Sequence, residues 1–299
     1  MTTGHAFESI EDVQSRLGLQ NYVADRALAT TVFLSSRLEK PLLLEGEAGV
    51  GKTEVARALA AALDTRLIRL QCYEGIDVNH AVYEWNYARQ LLHIRGAGEG
   101  FEEKDGLGQI FDREFLIRRP LLESIDHELP SPPVLLIDEI DRSDDEFEAF
   151  LLELLADFQI TIPEIGTIAA RVPPTVIITS NRTREIHDAL KRRCLYHWID
   201  LPSVGKELAI LRARAPGLPD RLARQVAEFM QRLRDEDLYK IPGIAETLDW
   251  ARALLELGCP ELDPETVEQT LTCLLKHQED QLHVRAAGIE AMVGRAAGV

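Results

Sequence analysis

The 299-residue sequence has no apolar run approaching the roughly twenty residues that a membrane-spanning helix needs. Its first residues, MTTGHAFESIEDVQ, lack the basic segment and following apolar segment of a secretory signal. The sequence has four cysteines, Cys72, Cys194, Cys259 and Cys273. They form no CxxC motif and do not have the spacing of metal ligands, so they are predicted to be reduced thiols. A cytoplasmic location is therefore the default expectation.

Basic residues are also scarce, because 33 Lys and Arg stand against 50 Asp and Glu, for a net charge of −17. Binding nucleic acid over a wide surface requires a basic stripe that faces the phosphates. The charge therefore disfavours nucleic acid as a partner, although a locally basic loop remains compatible with it. The content of 45% hydrophobic and 28% charged residues is typical of a globular protein, and the length allows one large or two medium domains.

Short apolar runs alternate with helical patterns over the first two thirds of the chain, which predicts an α/β domain with a mainly parallel five-stranded sheet. After Pro202 only helical patterns occur, so residues 1–202 and 203–299 are predicted to be an α/β domain and a small all-helical domain. A hairpin is expected near residues 160–172, around Gly166. The predicted strands are LLL at 42–44, LIRLQC at 67–72, VLLID at 134–138, TVIITSN at 175–181 and YHWIDL at 196–201.

The octapeptide GEAGVGKT lies between the first predicted strand and a helix, the context that the phosphate-loop pattern GxxxxGK[ST] requires. Glycines let backbone N–H groups approach phosphate oxygens, the lysine reaches the β- and γ-phosphates, and the threonine hydroxyl ligates Mg²⁺. An incidental glycine-rich turn is the weaker interpretation. Nucleotide and Mg²⁺ are therefore expected at Gly46, Glu47, Ala48, Gly49, Val50, Gly51, Lys52 and Thr53, with Thr53 also a metal ligand.

Two acids, Asp138 and Glu139, end the apolar run VLLIDE. After a phosphate loop in the same predicted sheet, an acid at a strand end can hold Mg²⁺ directly or through water, and a second acid can deprotonate the attacking water. Asp138 is assigned to the metal and Glu139 to the base, the alternative being solvated acids at a strand end. Asn181, at the end of the predicted strand TVIITSN, is expected to donate to the phosphate and orient the water, the alternative being an asparagine that only forms a turn. Asp141 and Arg142 are predicted to be turn and surface residues.

Three cations follow one another in KRRC, residues 191–194, within a chain that is acidic overall. Cations at the C-terminal end of a helix offset the negative end of its dipole, which alone would explain them.

Ser143 is predicted to cap the next helix after VLLIDE, in a capping box with Glu146. Tyr83, Trp85 and Tyr87 alternate, as on one face of an extended segment, and are predicted to pack as an aromatic cluster rather than grip a client.

The order of these motifs, with a phosphate loop, a strand ending in Asp-Glu, a strand-tip Asn, RRC and a helical C-terminal part, resembles the AAA+ ATPases. GEAGVGKT, LLIDEIDRSDDEFEAFLLELLADFQITIP and VIITSNRTREIHDALKRRCLYHWIDLP resemble the MoxR family, above all its carbon monoxide dehydrogenase maturation (CoxD-like) branch. The resemblance covers nearly the whole chain. It implies a P-loop AAA+ domain with a helical lid, using ATP and Mg²⁺.

The resemblance also implies roles for individual residues. Lys52, Thr53, Asp138 and Glu139 match Walker A and Walker B, Asn181 matches sensor 1, and the hairpin matches an insert before sensor 1. Arg193, directly before Cys194, is similar to an arginine finger that reaches the nucleotide of the next subunit, with Arg192 as second choice. The lid arginine of the family is missing, because Ala245 occupies its place. Arg252 or Lys240 is expected to substitute for it, unless the lid senses nucleotide without a cation.

Members of the family usually assemble as rings, commonly hexamers, and work with a von Willebrand A domain protein. The resemblance therefore implies an ATP-driven chaperone that matures a client metalloenzyme or inserts its metal cofactor, the Mo/Cu carbon monoxide dehydrogenase in the resembling branch. A nucleotide-switched scaffold with little turnover is the main alternative. A GTPase is disfavoured because no [NT]KxD motif follows the phosphate loop, and a DNA motor rests on fold analogy alone.

Overall fold

A computed structural model describes residues 6–97 and 110–294 of the chain. The stretch RGAGEGFEEKDGLG, predicted from its composition to be a surface loop, lies outside the described residues from position 98 onward. Within the described residues, no helix is both long and apolar enough to cross a membrane.

The described residues up to 198 form a mixture of helices and strands, and those from 204 to 294 form helices connected by turns and loops. The strands are β1 Leu42–Glu45, β2 Leu67–Gln71, β3 Tyr83–Trp85, β4 Leu116–Arg118, β5 Val134–Asp138, β6 Gln159–Ile162, β7 Gly166–Ala169, β8 Thr175–Ser180 and β9 Leu195–Trp198. The helices are α1 Ile10–Leu19, α2 Arg26–Leu38, α3 Lys52–Ala62, α4 Val78–Ala81, α5 Tyr87–Ala97, α6 Pro120–Ile125, α7 Asp145–Asp157, α8 Asp188–Lys191, α9 Val204–Arg214, α10 Asp220–Arg234, α11 Ile244–Glu256, α12 Pro264–Leu274, α13 Gln278–Ala287 and α14 Ile289–Gly294.

The main sheet has five strands in the order β2-β5-β8-β1-β9, which confirms the predicted α/β fold class. Strands β2, β5, β8 and β1 pair in parallel, with Leu136 of β5 opposite Ile177 of β8. All five residues of β5 are buried, as expected for a continuous apolar run with covered faces on both sides. Because parallel strands run in one direction, the carboxyl ends of β1, β5 and β8 lie at the same edge of the sheet, at Glu45, Asp138 and Ser180.

Two antiparallel pairs stand apart from the main sheet. The predicted hairpin near 160–172 is confirmed as the pair β6–β7, in which Ile160 lies opposite Ile168. In the other pair, β3–β4, the rings of Tyr83 and Trp85 make an edge contact with centroids 6.2 Å apart. The prediction that Tyr87 shares their strand face is wrong, because Tyr87 begins α5 and is 64% exposed.

The cap of helix α7 also differs from the prediction. Asp144, and not Ser143, is the N-cap, since its Oδ1 accepts from Phe147 N at 2.8 Å. The Ser143 hydroxyl donates instead to Ile140 O at 2.8 Å, inside the short turn that precedes the helix. Serine and aspartate are both good N-cap residues, and here the preceding turn already engages the serine hydroxyl.

Contacts divide the described chain into two compact units. The sheet unit lies within Met1–Val13, Ala27–Glu45 and Leu59–His197, and the helical unit lies within Gln14–Arg26, Gly46–Ala58 and Trp198–Val299. The core of the sheet unit includes Leu135 and Ile137 of β5 and the buried apolar face of α7. The core of the helical unit is built around Trp250 and Phe229, whose ring centroids are 5.2 Å apart. The predicted division into domains 1–202 and 203–299 stays a prediction.

A buried ion pair connects three helices of the helical unit. Arg234 of α10 donates through Nη1 and Nη2 to the two carboxylate oxygens of Glu207 in α9, at 2.6 and 2.8 Å. The side chains of Arg234 and Glu207 are 3% and 0% exposed. Thr247 of α11 donates to Glu207 Oε1 at 2.7 Å, and Arg234 Nε donates to Pro242 O at 2.9 Å. Every polar group of this pair therefore has a partner, which a buried pair requires.

Removing one member of this pair is expected to destabilise the protein strongly. Glu207→Ala leaves the Arg234 guanidinium buried without its carboxylate and should lower the free energy of unfolding by about 3–5 kcal/mol. Chemical denaturation measures this change. Glu256→Ala, at an exposed position of α11, is the control and should change stability by no more than about 0.5 kcal/mol. Equal stabilities for the two variants would contradict the role assigned to the pair.

Candidate active site

The predicted phosphate loop begins one residue beyond the end of β1 and belongs to the helical unit. Gly49 has a φ of +82°, a left-handed conformation that residues with a Cβ rarely adopt. Helix α3 begins at Lys52, so the positive end of the helix dipole lies at the loop. Backbone of this kind is suited to an anion.

The Lys52 ammonium lies inside the loop. Lys52 is 6% exposed, and its Nζ donates to Gly46 O and Glu47 O, both at 2.7 Å. Thr53 follows it as the second residue of α3. A buried ammonium, helix N–H groups and a hydroxyl form a donor set that fits the phosphates of a nucleotide and one Mg²⁺ ligand. The residues present are therefore suited to the predicted cofactors.

Asp138 and Glu139 belong to the sheet unit, and the structure fixes both carboxylates. Asp138 is 2% exposed. Its Oδ2 accepts from Arg69 Nε at 3.0 Å and Nη2 at 2.6 Å, and its Oδ1 accepts from Thr179 Oγ1 at 2.6 Å. Arg69 lies on β2 and Thr179 on β8, the strands on either side of β5. Neighbouring strands therefore hold the predicted metal residue in a single orientation.

Glu139 has a left-handed backbone, with a φ of +57°. For a residue with a side chain this conformation is strained, and it is maintained here by several hydrogen bonds. The Glu139 N–H donates to Thr179 Oγ1 at 2.9 Å. Its carboxylate accepts from Gln71 Nε2 at 3.0 Å, Arg142 Nη1 at 3.2 Å and Asn181 Nδ2 at 3.5 Å. The carboxylate is one-third exposed, which leaves it accessible to water.

The structure therefore brings Asp138, Glu139 and Asn181 together within the sheet unit. Three residues of this cluster were missed by the sequence analysis: Arg69, Gln71 and Thr179. A signal for two of them exists in LIRLQC, where Arg69 and Gln71 alternate on one face of a strand next to β5. Polar side chains at the carboxyl end of such a strand point to the same site as the acids of its neighbour.

Asp141 lies in a turn, as predicted, but the prediction that it is a surface residue is wrong. Asp141 is 3% exposed, and it accepts from Asn181 N at 3.2 Å, Thr183 N at 2.8 Å and Thr183 Oγ1 at 2.7 Å. A charged residue in a turn usually reaches solvent, but these donors satisfy the carboxylate inside the protein. The prediction for Arg142 is confirmed, since its side chain is 60% exposed.

The KRRC stretch follows α8, a helix of four residues. Arg192 and Arg193 are exposed, and Arg193 Nη1 donates to Ala189 O, a carbonyl of α8, at 3.2 Å. This bond is the contact that the helix-end interpretation predicts. Burial raises the pKa of the Cys194 thiol to about 12, although the cations Arg193 and Lys40 lower it. Cys194 is therefore a neutral packing residue beside an exposed arginine pair.

The expected position of the lid arginine lies against the phosphate loop, within the helical unit. Ala245 N donates to Gly49 O at 3.2 Å, so the contact is made by backbone. Arg252 is instead paired with Asp249 at 3.3 Å on the exposed face of α11, and Lys240 is exposed. A cation of α9, Arg214, reaches Glu54 of α3 at 2.5 Å.

Gly243 has no room for a side chain beside the loop. A Cβ at this position would lie 2.8 Å from both Gly49 C and Gly49 O, and 3.0 Å from Ala48 O. Gly243→Ala should therefore separate the start of α11 from the loop, weaken ATP binding and lower the free energy of unfolding by about 1–3 kcal/mol. ATP titration and chemical denaturation measure the two effects. Gly205→Ala, at an open position in α9, is the control, and equal ATP affinity of both variants would contradict the expectation.

Comparison with known proteins gives a family match and several relatives. Residues 41–194 match the family model of the AAA domain, dynein-related subfamily. Chaperone protein ClpB 2 of Thermosynechococcus vestitus is 30% identical over 216 residues, which cover 71% of this chain and 20% of ClpB 2. The chain thus spans about a fifth of the length of that relative.

An uncharacterized protein of Staphylococcus aureus strain USA300 is 27% identical over 259 residues, covering 81% of this chain and 87% of that protein. Among solved structures, the RuvB Holliday junction branch migration motor of Thermotoga maritima aligns with a TM-score of 0.45 and 18% identity. That alignment covers 91% of this chain and 70% of RuvB.

Proposed function

Because residues 41–194 match its model, the chain belongs to the AAA domain family, dynein-related subfamily, and we propose that it hydrolyses ATP to remodel a client protein. Membership confirms the predicted class, an AAA+ ATP hydrolase with a P-loop fold, and the predicted use of ATP and Mg²⁺. The MoxR family and its carbon monoxide dehydrogenase branch are the finer assignment that we propose. The resemblance of GEAGVGKT, of the stretch that begins LLIDE and of the stretch that begins VIITSN to that family supports the assignment.

The observation that carries the proposal is the fixed position of the Glu139 carboxylate. The carboxylate accepts hydrogen bonds from Gln71, Arg142 and Asn181 and is still partly exposed to solvent. A carboxylate held in this way is suited to take a proton from water. A protein that only binds nucleotide would not need an acid that is fixed by three donors on a strained backbone.

The remaining site residues have complementary roles in this proposal. Residues 46–53 bind the phosphates, with Lys52 supplying positive charge and the Thr53 hydroxyl ligating Mg²⁺. Asp138 would hold Mg²⁺, directly or through water, with a carboxylate that hydrogen bonds to both of its oxygens already orient. When Mg²⁺ is bound, its charge would neutralise part of the charge of the phosphates. Asn181 orients the water and fixes the base.

Assembly and partners also belong to the proposal. We propose a cytoplasmic ring, with a hexamer as the expected size, in which Arg193 and, second, Arg192 reach the nucleotide of the next subunit. The exposure of both side chains supports this role. The expected partners are a von Willebrand A domain protein and a client metalloenzyme, and the net charge of −17 supports the absence of nucleic acid among them.

The base assignment is tested by Glu139→Gln, which preserves the shape of the side chain and removes its basicity. ATP hydrolysis should fall by about 10²–10⁴-fold, the usual contribution of a general base, while ATP binding is retained. Steady-state turnover and equilibrium ATP binding measure the two properties. Unchanged turnover would reject Glu139 as the base, and negligible turnover in the unsubstituted protein would favour the nucleotide-switched scaffold.

The arginine assignment is tested by Arg193→Ala. ATP binding should be preserved, and hydrolysis in the assembled protein should fall by about 10³–10⁵-fold, because the transition-state charge loses its cation. Turnover and assembly state are measured on the same samples over a range of protein concentrations. Lys191→Ala, in the same stretch, is the control and should retain activity. Normal turnover of assembled Arg193→Ala would leave only the contact with Ala189 O as the role of this residue.

A further inference from the structure

Two buried carboxylates hold the segment that follows Asn181, and neither has a role in the proposed chemistry. The first, Asp141, accepts hydrogen bonds from the N–H groups of Asn181 and Thr183 and from the Thr183 hydroxyl. These donors lie on the loop that leaves the end of β8. One carboxylate therefore fixes the first residues of the segment through its backbone.

The second carboxylate, Glu148 of α7, holds the other end of this loop. Glu148 is 1% exposed, and its Oε2 accepts from His187 N at 2.8 Å. Its Oε1 accepts from the Arg184 guanidinium, which also donates through Nε to Ser143 O at 2.9 Å. Charge-assisted bonds of this kind are strong, and they are stronger where water is excluded.

The segment continues without a break into the arginine pair. His187 is the N-cap of α8, and Arg193 lies two residues beyond the end of that helix. Ile186 and Leu190 anchor this stretch in the core of the sheet unit, at 1% and 0% exposure. Residues 181–194, the sensor segment, are therefore held by buried carboxylates and buried apolar side chains along their length.

The two ends of the sensor segment are expected to act on different subunits. At its start, Asn181 Nδ2 donates to Glu139 Oε1 of the same subunit. At its end, Arg192 and Arg193 are exposed and, in the proposed ring, serve the next subunit. Asp141 lies two residues beyond Glu139 in the chain, and Glu148 lies nine residues beyond it.

We propose that Asp141 and Glu148 are positioning residues that couple the Glu139–Asn181 pair of one subunit to the arginine pair that serves its neighbour. The coupling rests on the proposed function, since it requires hydrolysis and an arginine that acts between subunits. If the segment moves as one element, a change at Glu148 alters hydrolysis in the adjacent subunit. A residue with a merely local structural role would alter only its own subunit.

Mixed assemblies separate these two roles. Subunits carrying Glu139→Gln are expected to bind ATP without hydrolysing it, so any turnover in a mixture comes from unsubstituted neighbours. Unsubstituted protein is mixed with an excess of Glu139→Gln subunits that also carry Glu148→Gln. Glutamine retains the shape of the side chain but replaces one acceptor oxygen with an NH₂ group, so either Arg184 or His187 N loses its acceptor.

The expected result is a loss of turnover per unsubstituted subunit, by about tenfold to a hundredfold, relative to mixing with Glu139→Gln subunits alone. Glu146→Gln in the same background is the matched control, because Glu146 is an exposed glutamate of the same helix, and it should cause no loss. Assembly state is measured on each mixture. Equal turnover for all three mixtures, with assembly intact, would overturn the coupling.

Two further measurements keep this result distinct from a failure of the proposed function. If unsubstituted protein alone does not hydrolyse ATP, the proposed function fails. If Arg193→Ala in the Glu139→Gln background does not lower turnover of its neighbours, the arginine does not act between subunits and the coupling is overturned with it. Where Glu148→Gln does not assemble, Asp141→Asn is used in the same design, and equal turnover with it also overturns the coupling.

Discussion

The parallel pairing of β5 with its neighbours is the constraint on which the candidate site depends. Because β5 is buried along its whole length, a shift of its register with β2 and β8 by one residue would move each of its packed side chains to the opposite face of the sheet. That register places Arg69 and Thr179 beside Asp138, and it places Gln71 beside Glu139. The orientation of both acids is therefore a consequence of apolar packing beneath them.

The strained backbone of Glu139 follows from the same arrangement. The chain must leave β5 and turn immediately, since Ile140 is already buried in the core. A left-handed residue makes this turn, and the Thr179 hydroxyl satisfies its N–H group. Thr179 thus serves two neighbouring residues, because it donates to Asp138 and accepts from Glu139. A small β-branched side chain with one hydroxyl is well suited to both bonds.

Much of the fold was accessible from the sequence, because strands buried on both faces read as continuous apolar runs and the phosphate loop has a strict pattern. The sequence did not predict the position of a polar residue whose hydrogen-bond partner is distant in the chain. Asp141 is close to Glu139 in sequence, yet its burial depends on amides some forty residues later. Likewise, Asp144 caps α7 in place of Ser143 because the preceding turn engages the serine. Such choices are made by tertiary contacts, which local patterns do not contain.

The backbone contact between Ala245 and Gly49 has a consequence for how this protein can vary. A hydrogen bond from a main-chain N–H group to a main-chain carbonyl is compatible with many side chains at position 245, although proline would abolish it. The steric requirement lies two residues earlier, at Gly243, where a Cβ would collide with the backbone of Gly49. The attachment of α11 to the phosphate loop is therefore independent of the side chain at position 245, so the loss of an arginine there would remove a charge without detaching the helix.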